Sequence, residues 1–232
     1  MLGIFIAYNY KEDSSSSERN KQDESTSDSI SFKESVSILI KNKEFLSVCL
    51  LGSGLGISLG FIPSHFTIYL TQDLDLSLKM AGLALAVVQL GGIIGLPLWG
   101  SITDKVFTDN RKLGLVFMAF LLAGAKLFFG LVITVLKPNL IIIFTVSFLL
   151  GLLALSWMGT YFTVLTELVP EKISGLANGA GLIFSRSGIL FAAPILGHIA
   201  DINNSYYYSW VVNGVVLLLV ALVIGYYQKS YL

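Results

Sequence analysis

Long apolar runs separated by short polar joints dominate the chain beyond its serine-rich beginning. Six stretches, at about 45–70, 80–103, 113–136, 139–166, 175–200 and 209–227, reach the roughly 20 apolar residues that crossing a bilayer takes. The joints are Thr71-Gln72-Asp73 onward, Asp104 to Lys112, Lys137-Pro138-Asn139, Pro170-Glu171-Lys172 and Asp201 to Ser205. The runs are too long for barrel strands and lack their period-two alternation. The pattern therefore predicts an all-α membrane protein with six transmembrane helices, the bundle occupying residues 44–228.

Ahead of the bundle, residues 11–36 (KEDSSSSERNKQDESTSDSISFKESV) are acidic, serine-rich and nearly free of large apolar side chains. Such a segment cannot offset the entropy of ordering, so residues 11–43 are expected to form a disordered cytoplasmic loop. The first ten residues, MLGIFIAYNY, make about half a span and lack both the basic start and the cleavage site of a signal peptide. They read as the remnant of a preceding membrane helix, or as the product of a misassigned start codon.

Composition sharpens the picture. Of 232 residues, 54% are hydrophobic and 13% charged, about half the charge of a soluble domain. Seven of the fifteen acidic and four of the fifteen basic residues precede residue 41, which leaves the remainder more apolar still. Net charge is zero, so nucleic acid is not an expected partner. A single cysteine, Cys49, allows no internal disulfide or cysteine-based metal site. No metal or cofactor is expected. In the connections, Lys41, Lys43, Lys105, Arg111, Lys112, Lys172 and Lys229 fall on one side, against Lys79 and Lys137 on the other. The bias places both ends of the bundle in the cytoplasm, in a multi-pass protein of the plasma (inner) membrane.

Two segments match each other. Pro97 to Asp104 and Pro194 to Asp201 both read P-x-x-G-x-I-x-D, and Gly82-Leu83-Ala84 answers Gly175-Leu176-Ala177 upstream. The copies lie three spans apart, which suggests an inverted repeat of three plus three helices, a device of secondary transporters with midplane substrate sites. Gln89 and Arg186 occupy equivalent positions, each eight residues before its proline. Arg186 then lies roughly 17 Å into its span.

These residues resemble the major facilitator superfamily, specifically the C-terminal six-helix half of its fold. Its signature between the second and third helices appears as Gly100-Ser101-Ile102-Thr103-Asp104-Lys105, followed after Asn110 by Arg111-Lys112. Phe107 stands where a second glycine is usual, and the turn is longer by two residues. Thr166 to Gly175 (TELVPEKISG) is similar to the family's connection between the fourth and fifth helices, with Ser174 where an arginine is common. The resemblance covers about 44–228. It implies a twelve-helix carrier of which the N-terminal six helices are absent here, so that this chain supplies one wall of a cavity.

The resemblance assigns candidate roles. Arg186, a charge too costly to leave in hydrocarbon, should face the bundle interior or a watery path and bind an anionic group through its forked donors. Its other reading is a structural arginine paired with carbonyls or with an acid of the missing half. Gln89 and Asn178 are candidate cavity amides. His65 shares a face with Phe61, Phe66 and Tyr69 on a helix that lines the cavity in the family, as does the helix carrying Trp157 and Tyr161. Each could equally be packing. Lys126 falls on a peripheral helix and is expected to be structural or to snorkel. Gly100, Asp104, Lys105, Arg111, Lys112 and Glu167 suit a conformational latch, or simply topology-setting charge on a solvated loop. The spacings Gly52/Gly56/Gly60, Gly91/Gly95 and Gly175/Gly179 allow close helix approach, the last two pairs either at a gating interface with the other half or within the bundle.

The function these readings favour is secondary active transport of a small solute by alternating access, with an organic anion favoured because mid-membrane cations face no carboxylates. The expected partners are that solute, membrane lipid, and an N-terminal six-helix half or a second copy of the chain. A non-transporting scaffold or split-gene remnant is the alternative. An intramembrane serine hydrolase would pair Ser53 with His65, but the two lie about 18 Å apart on one helix. No G-x-x-x-x-G-K-[ST] motif supports ATP-driven pumping.

Overall fold

The computed structural model describes residues 31–136 and 138–229, with side chains through Tyr226. The reading of MLGIFIAYNY as a helix remnant, and of residues 11–30 as disordered, lies outside them. The chain divides into two units, 1–36 and 37–232. Residues 31–36 are the described part of the first unit and open helix α1, Phe32–Lys41. That helix corrects the expectation of a disordered loop as far as residue 43. Its apolar residues Phe32, Val36, Leu39 and Ile40 recur at helical spacing, with Glu34 in the first turn and Lys41 in the last, both favoured by the helix dipole.

Six spans follow, and among the described residues there is no strand. They are α2 (Lys43–Gln72), α3 (Leu78–Val106), α4 (Arg111–Phe128, extended to Leu136), the pair α5 (Leu140–Ala154) and α6 (Trp157–Glu167), α7 (Ser174–Asn203) and α8 (Tyr207–Lys229). The protein is an integral, multi-pass membrane protein. Its polar joints are capping signals. Asn42, Ser77, Asn110 and Asn139 each accept a hydrogen bond from the backbone N–H three residues on, satisfying a donor the helix start would leave orphaned. Asn42 also donates to the Leu168 carbonyl at 2.9 Å, tying the start of α2 to the end of α6. At the opposite end, Asp73 accepts from the Ser205 hydroxyl and from Tyr206 N–H at 3.0 Å, so one carboxylate both follows α2 and caps the entry to α8.

Two irregularities interrupt the spans. The helix turns π over Phe129–Ile133, where the Phe129 carbonyl accepts from the Thr134 backbone N–H and also from the Tyr69 hydroxyl at 3.2 Å and the Thr134 hydroxyl at 3.1 Å. The fourth span breaks at Leu155-Ser156, where the Ser156 hydroxyl back-bonds to the Leu152 carbonyl at 2.8 Å.

The helices associate as three tight pairs, α2 with α7, α3 with α5, and α4 with α8. Without a hydrophobic drive between helices in lipid, closeness depends on small residues. A Cβ on Gly56 would overlap the Ser185 carbonyl, one on Gly188 the Ser53 carbonyl, and one on Gly60 would stand 2.8 Å from the Ile189 carbonyl. Gly91 and Gly151 do the same for α3 and α5, against Phe148 and Val88. Gly91/Gly95 therefore belong to internal packing and not to a gating interface. Gly175 and Gly179 face open space, with nothing within 4 Å of where a methyl group would stand. The most apolar window of α2 is 67% buried, against 33% for α3 and 28% for α7. The central helix is thus α2, and α3 and α7 present broad faces outward.

The glycine seam has a direct test. Gly56→Ala and Gly188→Ala force backbones apart and are expected to destabilise the purified protein by about 1–3 kcal/mol. Gly179→Ala, in open space, should be neutral or stabilising by up to about 1 kcal/mol through helix propensity. Thermal melting in detergent compares the three, and equal effects would refute the seam.

Candidate functional site

The latch candidates divide cleanly. Asp104 ends α3, Arg111 begins α4 and Glu167 ends α6. Each charge opposes its own helix dipole, a carboxylate at a C-terminus or a cation at an N-terminus. The three compensate one another. Arg111 Nη1 donates to Glu167 Oε1, and Nη2 donates to Asp104 Oδ1 at 3.1 Å, so one guanidinium bridges two helix ends. Gly100 lies one turn before Asp104 and leaves a small cleft open beside the bridge. The cleft has a volume of about 210 Å³ and is lined by Gly100, Thr103, Asp104, Arg111, Ser156 and Thr160, among others. Thr103 and Thr160 hydroxyls meet across it at 3.3 Å. Lys105 is exposed and stays outside this network, and Lys112 lies within electrostatic reach of Glu44 on α2. Phe107, in place of a glycine, packs its ring on Gly114 at the next helix start.

The hydroxyls of this cleft were not anticipated from the sequence. Their signal is the spacing Ser156, Thr160, Thr163, Glu167, which sets polar groups along one face of α6 and ends on the bridging carboxylate.

The candidate substrate residues fall into two groups, and the structure does not bring them together. Arg186 is exposed on α7 between Ile183, 72% exposed, and Leu190, 70% exposed. It has no ion pair or hydrogen bond among the described residues. The expectation that it faces the interior of these six helices is thereby corrected, because the inward face of α7 is the narrow row Ala177, Gly181, Ser185, Gly188, Ala192. Gln89 is likewise exposed and unpartnered, on the outward face of α3.

The second group is buried. Trp157 and Tyr161 are both fully buried, edge to face at 5.4 Å, and the Tyr161 hydroxyl donates to the Gly181 carbonyl at 2.9 Å. Gly52 on α2 and Gly181 on α7 leave the space that Tyr161 fills. This pair interlocks helices and presents nothing to a solute, so its reading as cavity lining is corrected. His65 is 8% exposed, with Nε2 at 3.0 Å from the Ala193 carbonyl and its ring edge-on to Phe61 and Tyr206. Burial, followed by the carboxylates of Asp201 and Asp73, pushes the Tyr206 phenol up from its ordinary value. Ser53 donates to the Phe184 carbonyl at 3.0 Å and makes no contact with His65, so no nucleophile–base pair forms between them. Asn178 is half-buried with its Oδ1 unpartnered. Among the described residues no cluster of His, Cys, Asp or Glu could hold a metal ion.

Of the two expectations for Lys126, structural or snorkelling, the structure shows no snorkelling: the side chain is fully buried, against Ser58 and Phe61 of α2 and Trp210 of α8.

The bridge can be tested by charge removal. Arg111→Gln leaves Asp104 and Glu167 facing each other uncompensated, and should lower the melting temperature at low salt. The difference should shrink as ionic strength rises from about 0.05 to 1 M. Neutralising all three, with Asp104→Asn and Glu167→Gln added, should recover most of the loss. An Arg111→Gln deficit that ignores salt would mean that the charges do not act as a unit.

Residues 45–230 match the family described as Major Facilitator Superfamily, and no curated protein matches the chain. The match begins near the start of α2 and runs through α8, taking in all six spans, the bridge at Asp104 and the α6–α7 connection. Six membrane-crossing helices without strands make half of that family's fold, and the chain belongs to the Major Facilitator Superfamily.

Proposed function

We propose that this chain forms one wall of a secondary active transporter that moves a small organic anion by alternating access. Membership of a transporter family supports transport in general. The observation that carries the finer reading is Arg186. It lies roughly 18 Å along a helix about 45 Å long, exposed and without a partner among the described residues. A guanidinium left in acyl chains costs at least about 2.5 kcal/mol, so a protein or aqueous surface is its natural neighbour. Its planar fork fits a carboxylate or phosphate bidentately. Gln89, exposed on the outward face of α3, offers a neutral donor and acceptor. The opposite wall is a six-helix half or a second copy of the chain.

The helix pairing supports an inverted repeat. If α2, α3 and α4 correspond in turn to the fourth, fifth and sixth spans, exchanging the two sets converts the α2–α7 pair into the α3–α5 pair and leaves the α4–α8 pair unchanged. A pseudo-two-fold axis in the membrane plane has that property. Within this reading the Asp104–Arg111–Glu167 bridge and both ends of the bundle lie on the cytoplasmic side of a plasma (inner) membrane, a sidedness that the Lys and Arg excess in the connections supports. The bridge is held in one state of the cycle and released in the other.

The test is uptake of labelled monocarboxylates, sugar acids and sugar phosphates into liposomes containing the chain, alone and with a six-helix half. Arg186→Gln is expected to reduce uptake about tenfold or more, with partial retention in Arg186→Lys, which keeps the charge and loses the fork. Undiminished uptake in Arg186→Gln, or uptake of cations alone, defeats the anion reading.

A further inference from the structure

The third span buries a cation that the anion reading does not use. Lys126 stands roughly 22 Å along α4 and is 0% exposed. Its Nζ donates to the Ser58 carbonyl on α2 at 3.3 Å and sits 5.3 Å from the Phe61 ring centroid and 5.2 Å from that of Trp210. An ammonium has three N–H donors and no acceptor. Here one finds an oxygen and the aromatic faces receive the charge.

The surroundings contain no counter-charge. From α2, Ser58 and Phe61 face the amine, and His65 follows one turn on, edge-on to Phe61. From α8 come Trp210 and Asn213, and from the π turn Phe129, stacked on Trp210 at 5.0 Å. Tyr69 is engaged with Phe129 and Thr134, and the Asp73 carboxylate with Ser205 and Tyr206. Among the described residues no carboxylate pairs with Lys126; the two salt bridges both belong to Arg111.

The neighbouring amide is only half satisfied. Asn213 Oδ1 accepts from the Ser58 hydroxyl at 3.2 Å, which leaves Nδ2 buried without a partner, as is Trp210 Nε1. Ser58 thus joins the two residues, its carbonyl to Lys126 and its hydroxyl to Asn213. An uncharged amine has a lone pair, and so can accept in a core where two donors, Asn213 Nδ2 and Trp210 Nε1, lack partners among the described residues. The ammonium form is met by the Ser58 carbonyl and the faces of Phe61 and Trp210. Both protonation forms find partial complements, an arrangement that suits a switch better than a fixed ion pair.

We infer that Lys126 is a reversible proton-binding site in the core between α2, α4 and α8, and that its proton drives the transport cycle, a role that rests on the carrier reading above. The proton comes from water and returns to water, and the only bond made or broken is N–H. The connection to Arg186 is short. Ser58 lies two residues from Gly56, whose α-carbon abuts the Ser185 carbonyl, the residue before Arg186. A shift of α2 on gaining or losing charge at Lys126 is therefore delivered to the helix that holds Arg186.

Trp210 provides an optical readout independent of any solute. Tryptophan emission of the full chain in lipid nanodiscs, titrated from about pH 5 to 10, is expected to show one step. The step should vanish in Lys126→Met and Trp210→Phe and persist in His65→Gln. Asn213→Asp, which places a carboxylate beside the amine, should raise its midpoint by about one pH unit or more. A flat wild-type titration, a step that survives Lys126→Met, or one that disappears with His65→Gln overturns the site. In liposomes, Lys126→Met should abolish dependence of uptake on an imposed pH gradient while solute exchange continues, and unchanged gradient dependence overturns the driving role. A retained optical step with no anion uptake would count against the Arg186 reading alone.

Discussion

The close approach of α2 and α7 is the constraint on which the rest of the bundle depends. In lipid the two helices gain little from hiding apolar side chains, so they associate by dispersion at a distance that only glycine permits. Gly56, Gly60 and Gly188 bring each backbone onto the carbonyls of the other, and Ser53 adds a hydrogen bond across the seam to the Phe184 carbonyl. This packing consumes the small-residue face of α7 and turns its bulky residues outward. The position of Arg186 follows, because a helix with Ser185 and Gly188 fixed inward has no choice but to present residue 186 on another face.

Much of this architecture was legible in the sequence because span length and joint polarity are independent signals that agree. The expected spans fall inside the observed ones, save that the fourth starts one residue early at the Asn139 cap, and the observed first, second and third spans gain polar first turns that follow the Asn42, Ser77 and Asn110 caps. Less local features were hidden. The π turn at Phe129 goes with a carbonyl that also receives the hydroxyl of Tyr69, sixty residues away, and the break at Ser156 goes with a hydroxyl that bonds its own backbone. Neither choice has a periodic signature.

The candidate site was legible where charge was concerned and illegible where faces were. Asp104, Arg111 and Glu167 were marked by the resemblance as a latch or as topology-setting charge, and the structure adds that each sits at a helix end its charge opposes and that the three pair with one another. The aromatic candidates failed for a geometric reason. Trp157 and Tyr161 share a face of α6, but spacing cannot distinguish a face turned to a cavity from one turned to the core, and Gly52 and Gly181 had already reserved room for the ring inside. Helix α1 was masked differently, its apolar residues diluted by the serines and acids before it.

Two cations at similar depth therefore have opposite surroundings, and the contrast organises the molecule. Arg186 is exposed and has no partner among the described residues, so the groups described in these six helices do not stabilise its charge. Lys126 is sealed among rings and amides, so whatever changes its charge must reach it from within. The guanidinium does not lose its proton in proteins, whereas an amine can, which is why ligand attraction is proposed for the first and switching for the second. Helix α2 touches both neighbourhoods, through Ser58 on one side and Gly56 on the other. A carrier needs its driving ion and its solute to bias a common element, and in the proposed cycle that element would be α2, the most buried of the six spans.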